Sequence, residues 1–273
     1  MLNSFHQYFL LDGKSCKTAD YNPEILKSGV SIYEVMLCID GKHLFIEEHL
    51  DRLERTAKKL KFKLWLNRKE IIQQMDKLTE INNIKNGNIE FFFHNSDLGK
   101  HFCCLFIPDN YPSSKMYREG IPSSLYEAER NNPTAKQINL QLRKKTVKNI
   151  DENKVFEIVL VDKNANLTEG SRSNIFFIKN NELFTANVEL VLPGIMRNQI
   201  IELCRENNIK VNESCIPAKS ISDYEACFFT NTTAKAIAIS NIGEIKYNSQ
   251  HPLLVKVLDL FEERIKDYLR LRG

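Results

Sequence analysis

Net charge, paired cysteines and long apolar runs are all scarce in this 273-residue sequence. The 38 basic and 35 acidic residues leave only +3, too balanced to argue for nucleic acid or an anionic membrane as partner. The seven cysteines (Cys16, Cys38, Cys103, Cys104, Cys204, Cys215 and Cys227) are an odd number without a CxxC pair. That argues against a disulfide scaffold or a zinc site and suits a reducing cytoplasm. No apolar run approaches the length of a membrane span. The opening MLNSFHQYFLLDGKS has neither the basic start nor the apolar core of a secretion signal. Internal repeats and low-complexity segments are also missing.

What remains is an ordinary globular composition, 42% apolar and 27% charged, long enough to bury a real core. Tyr33 to Ile46 reads as a hairpin, with Asp40-Gly41 as its two-residue turn. A helix over about Glu47 to Lys61 follows, because Ile46, Leu50, Leu53, Ala57 and Leu60 recur at steps of three and four. A second helix covers Arg68 to Leu78, and NIEFFFHN and HFCCLFIP read as another strand pair. PDNYPSSKMYREGIPSS then changes the texture, with three prolines, four serines and a glycine. The expected organisation is therefore an N-terminal domain over 1–112, a linker over 113–120 and a C-terminal domain over 121–273. A helix is expected from Ala135 to Asn149 and strands from Phe156 to Asp162, Asn174 to Lys179 and Leu183 to Thr185. A last amphipathic helix spans Leu253 to Leu271. Strands and helices alternate without regular βαβ spacing, so the fold class is mixed α+β.

Four segments carry groups of chemical interest, each with an ordinary alternative. LPGIMRNQ opens a helix whose first turn has no acid, and Arg197 adds positive charge there. A bound phosphate would require that pattern, but so would an uncapped helix whose Arg197 meets solvent or a surface acid. Asn231, Thr232 and Thr233 in FFTNTTAK offer hydroxyls and amides to an anion, or form a plain polar turn. Arg52 lies off the apolar stripe of its helix, sharing a flank with His49, and is either solvated or a phosphate grip. Lys136 follows a Pro-Thr-Ala turn and is either a solvated lysine or a Schiff-base lysine. Taken singly, the ordinary reading is favoured in each case. Together with Glu169 in NLTEGSRSNIFFI, they describe one ligand. It has a phosphate for a helix start, an arginine and a threonine loop, a carbonyl for a lysine, and a ring nitrogen for a carboxylate. That ligand is pyridoxal 5'-phosphate.

The same segments carry a family resemblance. GVSIYEVMLCIDGKHLFIEEHLDRL, AKQIN, LTEGSRSNIFFI, LPGIMR and FFTNTTA occur in the order found in class IV (fold-type IV) pyridoxal-phosphate enzymes. The chain resembles that family, which includes branched-chain and D-amino-acid aminotransferases and aminodeoxychorismate lyase. The resemblance implies an N-terminal α/β sandwich, a C-terminal pseudo-barrel with flanking helices that carries the cofactor lysine, and a homodimer. It implies that Lys136 holds the cofactor and moves the substrate α-proton, and that Glu169 pairs with the pyridine nitrogen. Arg52, the backbone N–H groups of Ile195 and Met196, and Thr232 would hold the phosphate. Thr233 would offer its backbone N–H to a substrate carboxylate, and Tyr33 would line the pocket near the lysine. Substrates would be a small amino acid and a 2-oxo acid, or aminodeoxychorismate if the chain is a lyase. A cofactor-binding homologue with little turnover is the third reading. The sequence departs from the known aminotransferases at Phe91-Phe92-Phe93-His94, where neither an Arg-x-His nor a Tyr-x-Arg motif is present. Met196 also replaces the threonine that aminotransferases often carry.

Overall fold

Asp40 and Gly41 both adopt positive φ, 51° and 78°, the geometry a two-residue hairpin turn needs. They join strand β3 (Val30–Ile39) to the short strand β4 (Lys42–His43) in this computed structural model, which describes residues 5–26, 28–108 and 111–272. The chain divides into two compact units. The first comprises Met1–Asn110, Ala135–Ile138 and Asp267–Gly273, of which Met1–Ser4, Lys27, Asp109, Asn110 and Gly273 lie outside the described residues.

Its sheet also contains β1 (Phe5–Leu11), β2 (Lys14–Lys17), β5 (Gly87–Ser96) and β6 (Gly99–Ile107), in the order β2-β1-β6-β5-β3-β4. Ile32, Glu34 and Met36 alternate along β3 and pair with Phe93, Phe91 and Ile89 of β5. The apolar members of these pairs pack against helices α1 (Ile46–Lys59) and α2 (Arg68–Asn82) through Leu50, Leu53, Ala57, Ile71, Met75 and Leu78. Asn67 and Glu70 form a capping box that starts α2, so its beginning is defined by side chains rather than by propensity. Trp65 stands edge-on to Phe93 in the same core, with ring centroids 4.9 Å apart.

The second unit comprises Tyr111–Thr134 and Asn139–Lys266. After the short helix α3 (Ser114–Glu119), strand β7 (Ile121–Glu127), helix α4 (Leu140–Asn153) and strand β8 (Glu157–Val161) form a parallel crossover. Strands β9 (Asn166–Gly170), β10 (Asn174–Lys179) and β11 (Glu182–Thr185) follow, then helix α5 (Ile195–Glu206) and strands β12 (Val211–Glu213) and β13 (Ile216–Pro217). Strands β14 (Ala226–Asn231), β15 (Lys235–Ile242) and β16 (Ile245–Lys246) complete a ten-stranded sheet. Helix α6 (Pro252–Arg270) runs on from it, its last turn counting with the first unit. The core joins Val159, Leu167, Ile175, Phe177, Phe229, Ile237 and Ile239, and Phe176 stacks on Phe228 at 5.0 Å. The architecture is α+β with two sheets.

Three local outcomes differ from the sequence expectation. Ala135–Ile138 is not helical, and the helix there starts only at Leu140, after Asn139 accepts a bond from the Leu142 N–H. Tyr33 N–H bonds Lys136 C=O and Ile138 N–H bonds Ser31 C=O, so the lysine segment lies along β3 as an extra edge. Those bonds group Lys136 with the first unit rather than with residues 121–273. Asn166–Gly170 is a further strand beyond those expected, because Val161 pairs with Leu167 and Ile216 pairs with the other side of Leu167.

Candidate active site

In the first unit, β3 presents Tyr33 on one face and Glu34 on the other, by strand alternation. The Lys136 Nζ lies over the Tyr33 ring, 4.7 Å from its centroid. The Lys136 backbone is fixed at both ends of its peptide, by Tyr33 through its C=O and by Thr56 Oγ1, 3.3 Å from its N–H. Glu34 points toward α1 and is fully buried. Arg52 donates Nε–H to Glu34 Oε1 at 2.9 Å and Nη2–H to Oε2 at 2.6 Å, a two-pronged pair. His49 adds its Nδ1 at 2.8 Å from Oε2. Burial opposes ionisation of Glu34, but Arg52, with help from His49, outweighs it and holds the carboxyl at about 2. Burial lowers the His49 pKa, and Arg52 and Lys136 reinforce that against the pull of Glu34. The imidazole is therefore neutral near pH 7. Arg52 is only 3% exposed despite lying off the apolar stripe, because Glu34 supplies a counter-charge on that flank.

In the second unit, Glu169 ends β9 and is 2% exposed. Its Oε2 accepts the Leu192 N–H at 3.1 Å, and its Oε1 lies 2.8 Å from Arg130 Nε. The same loop leads into α5, whose cap residue Gly194 provides no side chain and whose first turn has no acid. A Cβ on Gly194 would come within 2.0 Å of Asn174 Oδ1, and Asn174 in turn bonds the Leu192 C=O at 2.9 Å. Glu169 and the start of α5 are thus held as one piece through Leu192 and Asn174. Ile195 and Met196 occupy the first turn, where backbone N–H groups have no helical partner and attract anions.

Arg197 does something else. It is 1% exposed and turns inward, donating to the Ala186 C=O at 2.9 Å and to Glu213 at 2.7 Å. It braces α5 against the Ala186 backbone and Glu213, the surface acid that its ordinary reading allowed for. Thr232 and Thr233 form the turn between β14 and β15, closed by the Ala234 N–H on Asn231 Oδ1 at 2.6 Å. Thr230, two residues before Thr232, pairs with Asn174 across the sheet. The Gly170 position is also explained within the protein. A Cβ there would sit 2.0 Å from Ser173 Oγ, so the missing side chain makes room for that serine.

Three groups escaped the sequence reading. Glu34 is one acid in an apolar strand, and only the register with α1 reveals its role. Arg130 sits in a polar turn, EAERNNP, with no pattern of its own. Glu157 opens β8 and gathers the Ser171–Ser173 loop, a contact no spacing rule would reveal. In the strand that lacks the expected arginine motifs, His94 is 1% exposed with Nδ1 2.8 Å from Ser31 Oγ.

Each unit by itself carries groups that suit a phosphorylated carbonyl cofactor: a lysine set over an aromatic ring in the first, and an uncapped helix start and a buried carboxylate in the second. Among the described residues no helix is long and apolar enough to cross a membrane. The family profile described as Amino-transferase class IV matches residues 31–242. An aminodeoxychorismate lyase of Bacillus subtilis is 25% identical over 266 residues, covering 90% of this chain and 89% of that protein. A D-alanine aminotransferase of Bacillus licheniformis is 24% identical, covering 85% and 86%. The Escherichia coli branched-chain amino acid aminotransferase structure superposes with a TM-score of 0.85 at 21% identity, covering 96% of this chain and 95% of that one. At that identity the superposition speaks for the fold alone.

Proposed function

Since the chain belongs to the class IV aminotransferase family, we propose that it binds pyridoxal 5'-phosphate and transfers an amino group between a small amino acid and a 2-oxo acid. When bound, the cofactor supplies an electron sink for the pair released as the substrate Cα–H bond breaks. Lys136 would hold the cofactor through its Nζ, and the same amine would serve as the base that moves the substrate Cα proton. The Tyr33 ring limits where that amine can swing. Glu169 would pair with the ring nitrogen; the Leu192 N–H bonds one of its oxygens and Arg130 is ion-paired with the other. The Ile195 and Met196 N–H groups, Thr232 and Arg52 hold the phosphate, and Glu34 fixes the plane of the Arg52 guanidinium. Thr233 offers its N–H to the substrate carboxylate.

The observation that carries this reading is the joint placement of Glu169 and the uncapped start of α5 through Leu192 and Asn174. A homodimer in the cytoplasm belongs to the same reading, the first checked by sedimentation and the second supported by seven free thiols.

A second reading, an aminodeoxychorismate lyase, is favoured by one specific feature: β5 and β6 carry no arginine, so the usual aminotransferase carboxylate trap is missing. The loaded protein should be incubated with L- and D-amino acids plus 2-oxoglutarate, and separately with aminodeoxychorismate. Keto-acid formation without pyruvate release supports the aminotransferase and excludes the lyase. Pyruvate and 4-aminobenzoate from aminodeoxychorismate, with no keto acid from the amino acids, support the lyase and exclude the aminotransferase. Coloured protein inert toward every compound would leave a cofactor-binding homologue with little turnover.

A further inference from the structure

Glu157 is a buried acid with no place in the chemistry above. It is 3% exposed at the start of β8. Its Oε1 accepts the Ile158 N–H at 2.9 Å, the Ser171 N–H at 3.2 Å and the Ser171 Oγ–H at 2.5 Å. Its Oε2 accepts the Arg172 N–H and the Ser173 Oγ–H, both at 3.2 Å. Burying a carboxylate is costly unless its oxygens are satisfied, and here five donors converge on it. Three of the five are backbone N–H groups, two of them from the loop that follows Glu169.

That loop does not end the chain of contacts. The Ser171 C=O accepts Arg130 Nη2 at 2.8 Å, and Arg130 Nε lies 2.8 Å from Glu169 Oε1. The other Glu169 oxygen takes the Leu192 N–H at 3.1 Å. A continuous series therefore runs from Glu157 through Ser171 and Arg130 to Glu169 and on to Leu192. We propose that Glu157 is a positioning residue: by clamping Ser171–Ser173 it fixes Arg130, and through Arg130 it sets the orientation of the Glu169 carboxylate. The role in catalysis rests on the cofactor reading above; the mechanical coupling does not.

Glutamine is the informative replacement. Its amide has one accepting and one donating end, and backbone N–H groups cannot turn round. With the NH2 in place of Oε2 it faces the Arg172 N–H; flipped, it faces those of Ile158 and Ser171. Either way the clamp loosens. In the full chain without cofactor, Glu157→Gln should speed hydrogen exchange at Ser171 and Arg172 and also, at least tenfold, at the Leu192 amide. The Phe177 amide, in the sheet core, should stay at its wild-type rate. A purely local clamp would loosen Ser171 and Arg172 and leave Leu192 unchanged, which overturns the proposal.

In the loaded protein, the pH midpoint of the cofactor absorbance should shift in the same direction in Glu157→Gln and Arg130→Met. The double variant should shift no further, since both act through one path. Shifts that add, or no shift in Glu157→Gln, count against the coupling. If Glu157→Gln does not fold, Ser171→Ala with Ser173→Ala removes two of the five donors more gently and should move the same two readouts. Wild-type protein that takes up no cofactor would sink the proposed function, while Leu192 exchange would still decide the coupling.

Discussion

Replacing Glu34 with glutamine removes the counter-charge from a guanidinium that is only 3% exposed. Arg52 now gives Glu34 two bonds, of 2.9 and 2.6 Å, and His49 sits 2.8 Å from the same carboxylate. Breaking a buried ion pair from one side costs about 3–5 kcal/mol, because the remaining charge stays buried without compensation. Glutamine keeps one acceptor, so the lower end, about 3 kcal/mol, is expected. For a chain of this size each kcal/mol moves Tm by roughly 2–4 °C, so the fall should be about 6–12 °C. Trp65, the single tryptophan, packs on Phe93 in the same core, and its fluorescence reports unfolding of this unit directly. Removing both charges, as Glu34→Leu with Arg52→Met, should recover part of the loss, remaining about 1–3 kcal/mol below wild type because the buried His49 Nδ1 loses its partner. A Glu34→Gln protein within about 0.5 kcal/mol of wild type would refute this description of the pair.

Further outcomes follow from other contacts. The Glu34 carboxyl is lowered from 4.5 to about 2, so its contribution to stability is full above pH 4.5 and is lost as pH falls toward 2. The Trp65 unfolding midpoint should drop through that window, and the Glu34→Gln curve should be flatter there. Gly194→Ala places a Cβ 2.0 Å from Asn174 Oδ1, and the resulting shift of the α5 start should weaken cofactor binding about tenfold or more in an absorbance titration. Arg197→Met should cost about 1–2 kcal/mol of stability, since Glu213 stays hydrated and the loss is that of the Ala186 and Glu213 bonds, and should leave cofactor affinity within about 1 kcal/mol. A large loss of cofactor affinity would restore a phosphate role for it. Glu169→Ala should keep its colour and lose about 10²–10⁴-fold in turnover; near wild-type rate would remove its assigned role.

The legible parts of this sequence are those with a local physical signature. The Asp40-Gly41 turn, the α1 stripe and the acid-free start of α5 each announce themselves within a few residues. The motifs around Glu169 and Ile195 pointed to the family in the same way, and the class IV profile covers both. What stayed hidden depends on residues far apart in the chain. In place of the helix expected from Ala135 there is an edge segment whose backbone bonds Ser31 and Tyr33 of β3, more than a hundred residues away, which no window around Lys136 reveals. Arg197 meets an acid, as its ordinary reading expects, but which acid was hidden, because Glu213 lies 16 residues away. The space that Gly170 leaves is taken by Ser173 Oγ, a neighbour that the sequence does not single out. The supports of the key charged groups, Glu34 for Arg52 and Arg130 for Glu169, are long-range pairings of the same kind.

Whether Lys136 holds the cofactor is tested most directly by borohydride reduction of the protein loaded with pyridoxal 5'-phosphate, followed by peptide mass spectrometry. The added mass should fall on the peptide containing Lys136, and Lys136→Ala should fix no colour. Label on a different lysine, or wild-type protein that stays colourless after incubation with the cofactor, would contradict the assignment.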